Sequence, residues 1–308
     1  MVGVNICTFA YTIEKMKAFI KYIASKIGKF NPEFIVRIRY WLRFHKRIDL
    51  DNPKNLNEKI QYLSLRTDTS AWTRLTDKYL VRDYVKECGL EETLVPLLGK
   101  WDSADDIDFE SLPSRFILKT THGSGDSIIV NDKSCCNIDE IRSSIRKTLK
   151  ETYGLSEGNP HYSRIKPAVV AEELLENDEV SARYSTSLID YKIWCFNGKA
   201  YYIWTCTDRT KHGTRVMTYD KEWNAHPEYS VFTSHYMRGE TIPKPDGLDR
   251  MLNIAEALAK PFPVVRVDLY NLQGKVYFGE MTFTSLGGLM DFYSNDFLNY
   301  TGSLIDLP

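Results

Sequence analysis

Two segments near the C-terminus carry the polar residues whose types and spacing best suit chemistry. Residues 264–270 and 275–282 are rich in β-branched and aromatic residues, which predicts a β-hairpin. If residues 272–274 form a three-residue loop with Gly274 in the left-handed conformation, residue 268 lies opposite 278, and 266 lies opposite 280. Side chains alternate along strands, so one face of the hairpin then carries Arg266, Asp268, Glu280 and Thr282.

A face of this kind is unfavourable to bury without a ligand, because charged groups lose their hydration. Paired carboxylates with a further oxygen donor suit Mg²⁺, which binds few carboxylates together with the phosphate oxygens of a nucleotide. The pattern therefore predicts a metal site at Asp268, Glu280 and Thr282. The alternative is a surface hairpin with a charged outer face. A two-residue turn would also place Asp268 and Glu280 on opposite faces.

A glycine-containing loop between two predicted strands is the second candidate site. In the segment 116–130, Gly123, Ser124 and Gly125 form a loop in which backbone N–H groups can approach phosphate oxygens closely. Lys119 lies just before the loop and suits a charge contact to phosphate. The loop matches neither the phosphate-loop nor the dinucleotide-binding pattern, and an ordinary hairpin turn is the alternative interpretation.

Further charged residues occupy predicted strands between these two sites. Glu172 and Glu173 are consecutive in the apolar segment 169–175, so they point to opposite faces of a strand. Asp190 and Lys192 share one face of the next strand and suit a ribose hydroxyl and a phosphate. Taken singly, each is better explained as an ordinary charged strand position.

The order of these pieces, preceded by Lys78, resembles the ATP-grasp superfamily of carboxylate–amine ligases, from about Thr76 to Gly288. It is most similar to the TupA-like branch, which is linked to teichuronopeptide and surface-polysaccharide biosynthesis. The motifs that carry the resemblance are Asn57-Glu-Lys59, Asp77-Lys-Tyr79, Asp190-Tyr-Lys192, Arg266-Val-Asp-Leu-Tyr270 and Phe278-Gly-Glu-Met-Thr282.

The resemblance implies ATP and Mg²⁺ as cofactors and a role for each residue. The phosphates would be held by Lys78, Lys119 and Lys192 under a flap formed by Gly123, Ser124 and Gly125. The base and ribose would contact Glu172, Glu173, Leu174, Leu175 and Asp190. The metal would bind Asp268, Glu280 and Thr282, although the superfamily usually has Asn at the last position. Arg266 and Lys119 would act at the acyl phosphate, and Gly287 and Gly288 would border the acceptor site.

The remaining elements predict an α+β fold, because antiparallel hairpins are mixed with helices. We expect strands over 116–120, 127–130, 169–175, 189–196 and 199–207, and helices from Thr76, over 138–153 and over 249–260. Asn197-Gly198 predicts a tight hairpin turn. The resemblance implies an ATP-grasp fold, with two α+β subdomains gripping ATP, over residues 66–308. Its lid would span about 100–175, after an N-terminal basic helical region over 1–65.

Composition limits the functional classes. The formal net charge is −1 in 308 residues, which argues against nucleic-acid binding by the whole chain. The six cysteines include no Cys-x-x-Cys pair, and their irregular placement fits reduced thiols in the cytosol. The apolar run from Met1 to Ile13 is too short to span a membrane and lacks a basic start, so we expect a cytoplasmic protein.

Basic residues are concentrated in two predicted amphipathic helices that meet at Asn31-Pro32. Between Glu14 and Arg47, ten Lys or Arg residues accompany two acidic ones. Such helices either pack together with a solvated basic side or lie on an anionic membrane surface. A second basic segment, between Thr207 and Tyr236, includes Arg209, Lys211 and Arg215, which could receive a polyanionic glycan or simply face solvent.

The predicted function is an ATP-dependent ligase that activates a carboxylate as an acyl phosphate and joins it to an amine. The resemblance points to an amino acid or amine and a uronic acid or similar glycan carboxylate as substrates. The alternatives are phosphotransfer to a glycan hydroxyl, a glycosyltransferase of a polysaccharide locus, and a nucleotide-sensing protein without catalysis.

Overall fold

The computed structural model describes the backbone of residues 6–308 and the side chains from residue 15 onward. The apolar run from Met1 to Ile13 and Cys7 lie outside the described side chains. The helices are α1 Ile6–Phe30, α2 Pro32–Phe44, α3 Leu56–Arg66, α4 Ser70–Thr76, α5 Val81–Glu87, α6 Ile138–Thr148, α7 Pro160–Ser163, α8 Leu248–Ala259 and α9 Asn295–Ser303. The strands are β1 Leu97–Trp101, β2 Phe116–Thr120, β3 Ile128–Val130, β4 Val169–Glu172, β5 Asp190–Phe196, β6 Lys199–Thr210, β7 Gly213–Asp220, β8 Tyr236–Arg238, β9 Val264–Leu272 and β10 Lys275–Thr282.

The strands form two sheets. The smaller sheet has the order β1-β4-β2-β3, and the larger has the order β10-β9-β5-β6-β7-β8. All the paired strands are antiparallel except β7 and β8. Mixed helices and antiparallel sheets confirm the predicted α+β class.

The β5–β6 hairpin turns where the sequence predicts. Asn197 and Gly198 both have positive φ, 48° and 75°, as a tight primed turn requires. Other boundaries differ from the predictions. The strand predicted over 169–175 ends at Glu172, and the helix predicted over 138–153 ends at Thr148. The helix expected from Thr76 begins only at Val81, because the Asp77 carboxylate accepts the N–H groups of Tyr79 and Leu80 in a local turn.

The N-terminal helices break at the predicted position. The side chain of Asn31 accepts the N–H of Phe34 at 3.0 Å, and Pro32 occupies the first turn of α2. Helix α3 begins with a capping box between Asn55 and Glu58. The neighbouring Asn57 side chain exchanges two hydrogen bonds with the backbone of Met290, each 3.0 Å long, and so ties α3 to the C-terminal part of the chain.

Each sheet has its own apolar core. The smaller sheet packs Phe116, Leu118, Val169 and Ala171 against Ile145 of α6. The larger sheet packs against α8, and the same core includes Leu56, Ile60 and Leu63 of α3. The apolar side of α3 thus belongs to the larger core. The domain boundaries near residues 65, 100 and 175 stay predictions. A cleft lies where the two sheets approach each other, and residues of both line it.

Two expectations from composition concern the described part of the chain. The five cysteines described there, Cys88, Cys135, Cys136, Cys195 and Cys206, are all free thiols. Among the helices described, none has the length and apolar character needed to cross a membrane.

His161 is a buried histidine in the core beside the cleft. Its ring packs edge-on against Trp72 at 5.5 Å, and neither ring nitrogen has a hydrogen-bond partner. Burial, helped by the charge of Arg164, lowers the pKa of His161 to about 3. In the unfolded chain this histidine binds a proton near its ordinary pKa of 6.5. His161 therefore stabilises the folded state fully above pH 6.5. This stabilisation is lost as the pH falls from 6.5 towards the pKa of about 3 in the folded state.

We expect His161→Phe to flatten the pH dependence of stability. By linkage, the wild type should lose about 2 kcal/mol between pH 7 and pH 5 through this one group. Urea unfolding at both pH values measures the difference, and His212→Phe at an exposed histidine is the matched control. The quantity compared is the change in the free energy of unfolding between the two pH values. A change in the absolute stability of either variant therefore does not affect the test. An unchanged slope in His161→Phe would contradict the assignment.

Candidate active site between the two sheets

The β9–β10 hairpin brings the four predicted polar residues together by a different register from the predicted one. The turn has two residues, Gln273 and Gly274, with φ of 52° and 78°. A regular two-residue hairpin would separate Asp268 from Glu280, but a β-bulge at Gly279 adds one residue to β10. Asp268 therefore pairs with Glu280, and Arg266 with Thr282. The predicted pairing of 268 with 278 and 266 with 280 is wrong, while the shared face is confirmed.

Glycine is required at the bulge. A Cβ atom on Gly279 would lie 2.9 Å from the carbonyl oxygen of Asp268 and 3.2 Å from the ring of Tyr270. The backbone of β9 thus approaches β10 too closely for any side chain at this position.

A buried ion cluster occupies the shared face. Arg266 donates from Nε to Asp268 Oδ1 at 2.7 Å and from Nη2 to Oδ2 at 2.8 Å. The ammonium of Lys192, on the adjacent strand β5, donates to Asp268 Oδ2 as well. Burial alone would raise the pKa of Asp268, but the charges of Arg266 and Lys192 outweigh it and hold that pKa at about 2. Asp268 is therefore a permanent carboxylate at neutral pH.

The other two members of the predicted metal set lie beside this cluster. Thr282 contacts Glu280 Oε1 at 3.3 Å, and Arg266 Nη2 lies 3.6 Å from the same oxygen. The Glu280 side chain is 48% exposed, in contrast to 2% for Asp268. Among the described residues, no group of three or more His, Cys, Asp or Glu side chains could hold a metal. The predicted set contains only two such side chains, Asp268 and Glu280, together with the hydroxyl of Thr282. These three groups fit Mg²⁺ when the phosphate oxygens of a bound nucleotide complete its coordination.

Two lysines reach the cleft from different elements: Lys119 lies on β2 of the smaller sheet, and Lys78 lies in the segment between α4 and α5. Lys119 Nζ lies 2.7 Å from Glu172 Oε2, and Arg82 Nη1 lies 3.0 Å from Glu172 Oε1. The ammonium of Lys78 donates to the carbonyl of Gly123, so it is fixed beside the glycine loop. Gly123 has no room for a Cβ, which would lie 2.7 Å from Thr120 Oγ1, whereas Gly125 takes positive φ in open space.

Three cavities run in a row through this region. The outer cavity, about 700 Å³, has apolar walls that include Ile117, Ile129, Leu174 and Leu175. The central cavity, about 240 Å³, contains the charged residues, and it shares Lys119, Asp190 and Arg209 with the outer one. The inner cavity, about 360 Å³, is polar and shares Lys78, Ser124 and Glu280 with the central one. The row can hold an elongated ligand with an apolar end and a strongly anionic end.

Most of the predicted site residues line this row. Glu173, Leu174, Leu175 and Asp190 line the outer cavity, and Glu172 and Lys192 line the central one. As predicted, the consecutive acids diverge, with Glu172 buried and Glu173 exposed. Asp190 contacts Lys192 at 3.7 Å and forms an ion pair with Arg209.

Only some of the predicted substrate residues line the cavities. Arg209 lies at the junction of the outer and central cavities, and Gly287 lines the inner one. The neighbouring Gly288 is buried against Gln61, whose amide donates to the carbonyl of Gly287 at 2.6 Å. Lys211 and Arg215 are exposed and line none of the three cavities, and Arg215 instead pairs with Asp208 at 3.6 Å.

The inner cavity contains residues that the sequence reasoning missed. Arg39 reaches it from α2, where its Nη1 donates to the carbonyl of Glu157 at 2.8 Å. Asn159 is fully buried, and both polar atoms of its side chain lack a partner. Tyr162 and Ser285 also line this cavity. Arg39 belongs to a helix whose basic residues suggested only a solvated or lipid-facing side, so no sequence pattern singled it out.

Comparison with known proteins identifies the family of the chain. The family model of TupA-like ATP-grasp proteins matches residues 58–306, so the chain belongs to the TupA-like ATP-grasp family. The resemblance predicted from its motifs is therefore confirmed. No curated protein matches the sequence at a significant level.

Several solved structures are similar to this one. D-alanine–D-alanine ligase from Bacillus anthracis, solved with ATP, is 17% identical with a TM-score of 0.40, and the match covers 68% of this chain and 55% of that one. L-amino acid ligase from Bacillus licheniformis is 12% identical with a TM-score of 0.47, covering 84% and 56%. Biotin carboxylase from Campylobacter jejuni is 12% identical with a TM-score of 0.42, covering 78% and 49%. The chain thus spans about half the length of these structures.

We expect Gly279→Ala to disrupt the site through the bulge. The methyl group must push β9 and β10 apart, which should lower the free energy of unfolding by about 1–3 kcal/mol and displace Glu280 from Asp268. Calorimetric titration with ATP and Mg²⁺ should show affinity at least tenfold weaker. Gly274→Ala on the same hairpin is the control, because a Cβ there meets nothing within 4 Å and only the positive φ is strained. Equal ATP affinity in the two variants would contradict the role of the bulge.

Proposed function

We propose that this protein is an ATP- and Mg²⁺-dependent carboxylate–amine ligase that works through an acyl phosphate in cell-surface polysaccharide biosynthesis. The observation that carries the proposal is the position of the Arg266–Asp268–Glu280 group, where the central cavity, which with the outer one suits a nucleotide, meets the polar inner cavity. A ligase needs a nucleotide site and a neighbouring carboxylate site. Its carboxylate substrate must reach the terminal phosphate of ATP from the side opposite to the rest of the nucleotide.

ATP occupies the outer and central cavities in this proposal. The base lies between the apolar walls at Leu174, Leu175 and Ile129, and Glu173 lines the same cavity at a solvent-exposed position. The phosphates extend into the central cavity towards Lys119, Lys192 and Lys78. Backbone N–H groups of the loop 123–125 close over them, in the manner of a glycine-rich anion site.

Asp268, Glu280 and Thr282 would hold Mg²⁺ together with the phosphates. When bound, the ion neutralises charge on the phosphate oxygens. The contacts of Glu280 to Thr282 and Arg266 use a single oxygen, Oε1, and the half-exposed carboxylate faces the central and inner cavities. Asp268 adds a carboxylate that stays ionised, since its pKa is about 2.

The carboxylate substrate enters the inner cavity. Its oxygen attacks the γ-phosphorus of ATP, the bond from that phosphorus to the bridging oxygen breaks, and ADP leaves. An amine nitrogen then attacks the acyl carbon, loses a proton and expels inorganic phosphate. Arg266 lines the inner cavity, and its buried ion pair with Asp268 raises its pKa against the effect of burial, so it remains a cation. The protein acts by positioning and charge stabilisation.

Arg39 and Asn159 supply the recognition of that carboxylate. A guanidinium binds a carboxylate through two parallel hydrogen bonds, and the unpartnered amide of Asn159 offers one more donor in the same cavity. The family association favours a uronic acid or an amino acid in this cavity, with an amine of the other partner as the acceptor.

A phosphate-release screen tests the proposal. Purified protein, ATP and Mg²⁺ are incubated with pairs of amino acids and uronic-acid glycans, and the products are weighed by mass spectrometry. A ligase releases free phosphate only when both substrates are present and yields an amide. A product that retains the phosphate would instead identify a kinase, and hydrolysis that no carboxylate stimulates would refute ligation.

We expect Glu280→Gln to reduce the rate of product formation about 100- to 1,000-fold, because it removes a charge that acts where the phosphate is transferred. Circular dichroism should show an unchanged fold, since Glu280 is half exposed. Glu240→Gln at an exposed position is the control and should retain full activity. Asp268→Asn is a poorer test, because it leaves two buried cations without a carboxylate and should cost about 3–5 kcal/mol of stability. Near-normal activity in Glu280→Gln would contradict its role.

We expect Arg39→Met to raise the KM for the carboxylate substrate about tenfold to a hundredfold, with a smaller effect on kcat, because the lost contact is made already in the bound ground state. Steady-state kinetics with the substrate found in the screen measure both constants. Arg37→Met on the same helix is the control, since Arg37 pairs with Glu33 at 2.8 Å and lines none of the three cavities. Equal KM values for the two variants would show that Arg39 does not bind substrate.

A further inference from the structure

The N-terminal helices carry a large apolar surface that no described part of the chain covers. In α1 the exposed apolar side chains recur at helical spacing, and two of the largest, Phe19 and Phe30, are 64% and 84% exposed. In α2, Trp41 and Leu42 are 54% and 61% exposed. The remaining exposed apolar members are Met16, Ile20, Tyr22, Ile23, Ile27, Phe34 and Ile38. Apolar surface of this extent normally marks an interaction site.

The opposite side of α1 is fixed to the body of the protein. Gly28 is buried, and a Cβ there would lie 1.9 Å from the carbonyl oxygen of Leu155, so the helix backbone packs directly on the segment that follows. Lys21 adds an ion pair to Glu151 at 3.4 Å. The apolar stripe therefore faces outward on a helix held in place.

The charge around this surface is strongly positive. Exposed basic side chains border the apolar stripes at Lys26, Lys29, Lys46 and Arg47. Glu33 is the one acid that α2 contains, and Arg37 and Arg66 already neutralise it, at 2.8 and 2.9 Å. An apolar stripe bordered by exposed cations is the pattern of a helix that lies in a membrane interface with anionic headgroups.

We propose that the outward face of α1 and α2 docks on an anionic phospholipid bilayer. The apolar side chains enter the boundary between headgroups and acyl chains, and the lysines contact the headgroup phosphates. Charge complementarity selects this occupant over a second copy of the chain, because a second copy would bring the same basic residues to the interface. The proposal is independent of the ligase chemistry, although α2 also contributes Arg39 to the inner cavity.

Vesicle sedimentation tests the proposal with the full chain. The wild type should bind vesicles of equal parts phosphatidylglycerol and phosphatidylcholine at least tenfold more strongly than vesicles of phosphatidylcholine alone, and 0.5 M salt should weaken this binding. A double variant, Lys26→Glu with Lys29→Glu, should lose at least tenfold in partitioning. Lys147→Glu with Lys150→Glu makes the same charge change at exposed positions at the end of α6 and should bind as the wild type does.

A second variant separates the apolar contribution from the charge. Phe19→Ser with Trp41→Ser should also lose at least tenfold in partitioning while leaving the circular dichroism spectrum and ATP affinity unchanged. Equal binding to both kinds of vesicle, or none, would overturn the proposal. So would a wild type that sediments as a dimer without lipid and a serine variant that sediments as a monomer, because a second copy would then cover this face.

Discussion

The buried ion pair between Arg266 and Asp268 is the interaction on which the rest of the site depends. Both residues lie on β9, two positions apart, so the strand alone brings their side chains to one face. Two charges this deeply buried are stable only while each remains paired and hydrogen-bonded. Lys192 and Ser285 complete that pairing, which ties the central strand β5 and the segment after β10 to the same point.

Much of this arrangement follows from sequence, and the part that does not has an identifiable physical reason. Richness in β-branched and aromatic residues located β9 and β10, and the Asn197-Gly198 pair located the turn between β5 and β6. The bulge at Gly279 was not predicted, because an extra residue in one strand leaves no periodic signal, and glycine within a strand has several explanations. The correct shared face was reached from an incorrect turn, since a three-residue loop and a bulge each shift the alternation by one position.

The residues of the inner cavity could not be predicted from sequence for a different reason. Arg39 and Gly287 are nearly 250 positions apart, and only the packing of α2 on the segment around Glu157 brings the guanidinium to the cavity. Asn159 has no distinguishing neighbours in sequence. Its importance comes from full burial without a hydrogen-bond partner, which is a property of the folded environment. Motif reasoning therefore found residues that recognisable motifs carry and missed Arg39 and Asn159, which only the packing of the folded chain brings to the cavity.

The charge balance of the central cavity determines how a nucleotide can enter it. Five cationic side chains line this cavity against four acidic ones, and Arg266, which is hydrogen-bonded to the acid Asp268, raises the excess to two positive charges. Several of these cations already form ion pairs with acidic side chains of the protein. Examples are Lys119 with Glu172 and Lys192 with Asp268. A bare nucleoside triphosphate would bring more negative charge than this cavity can neutralise without breaking those pairs, and unpaired buried charges are unfavourable. The cavity is therefore suited to a triphosphate that arrives with its own counter-ion, and Glu280, the most exposed of the four acids, is placed to accept that ion while the buried pairs stay intact.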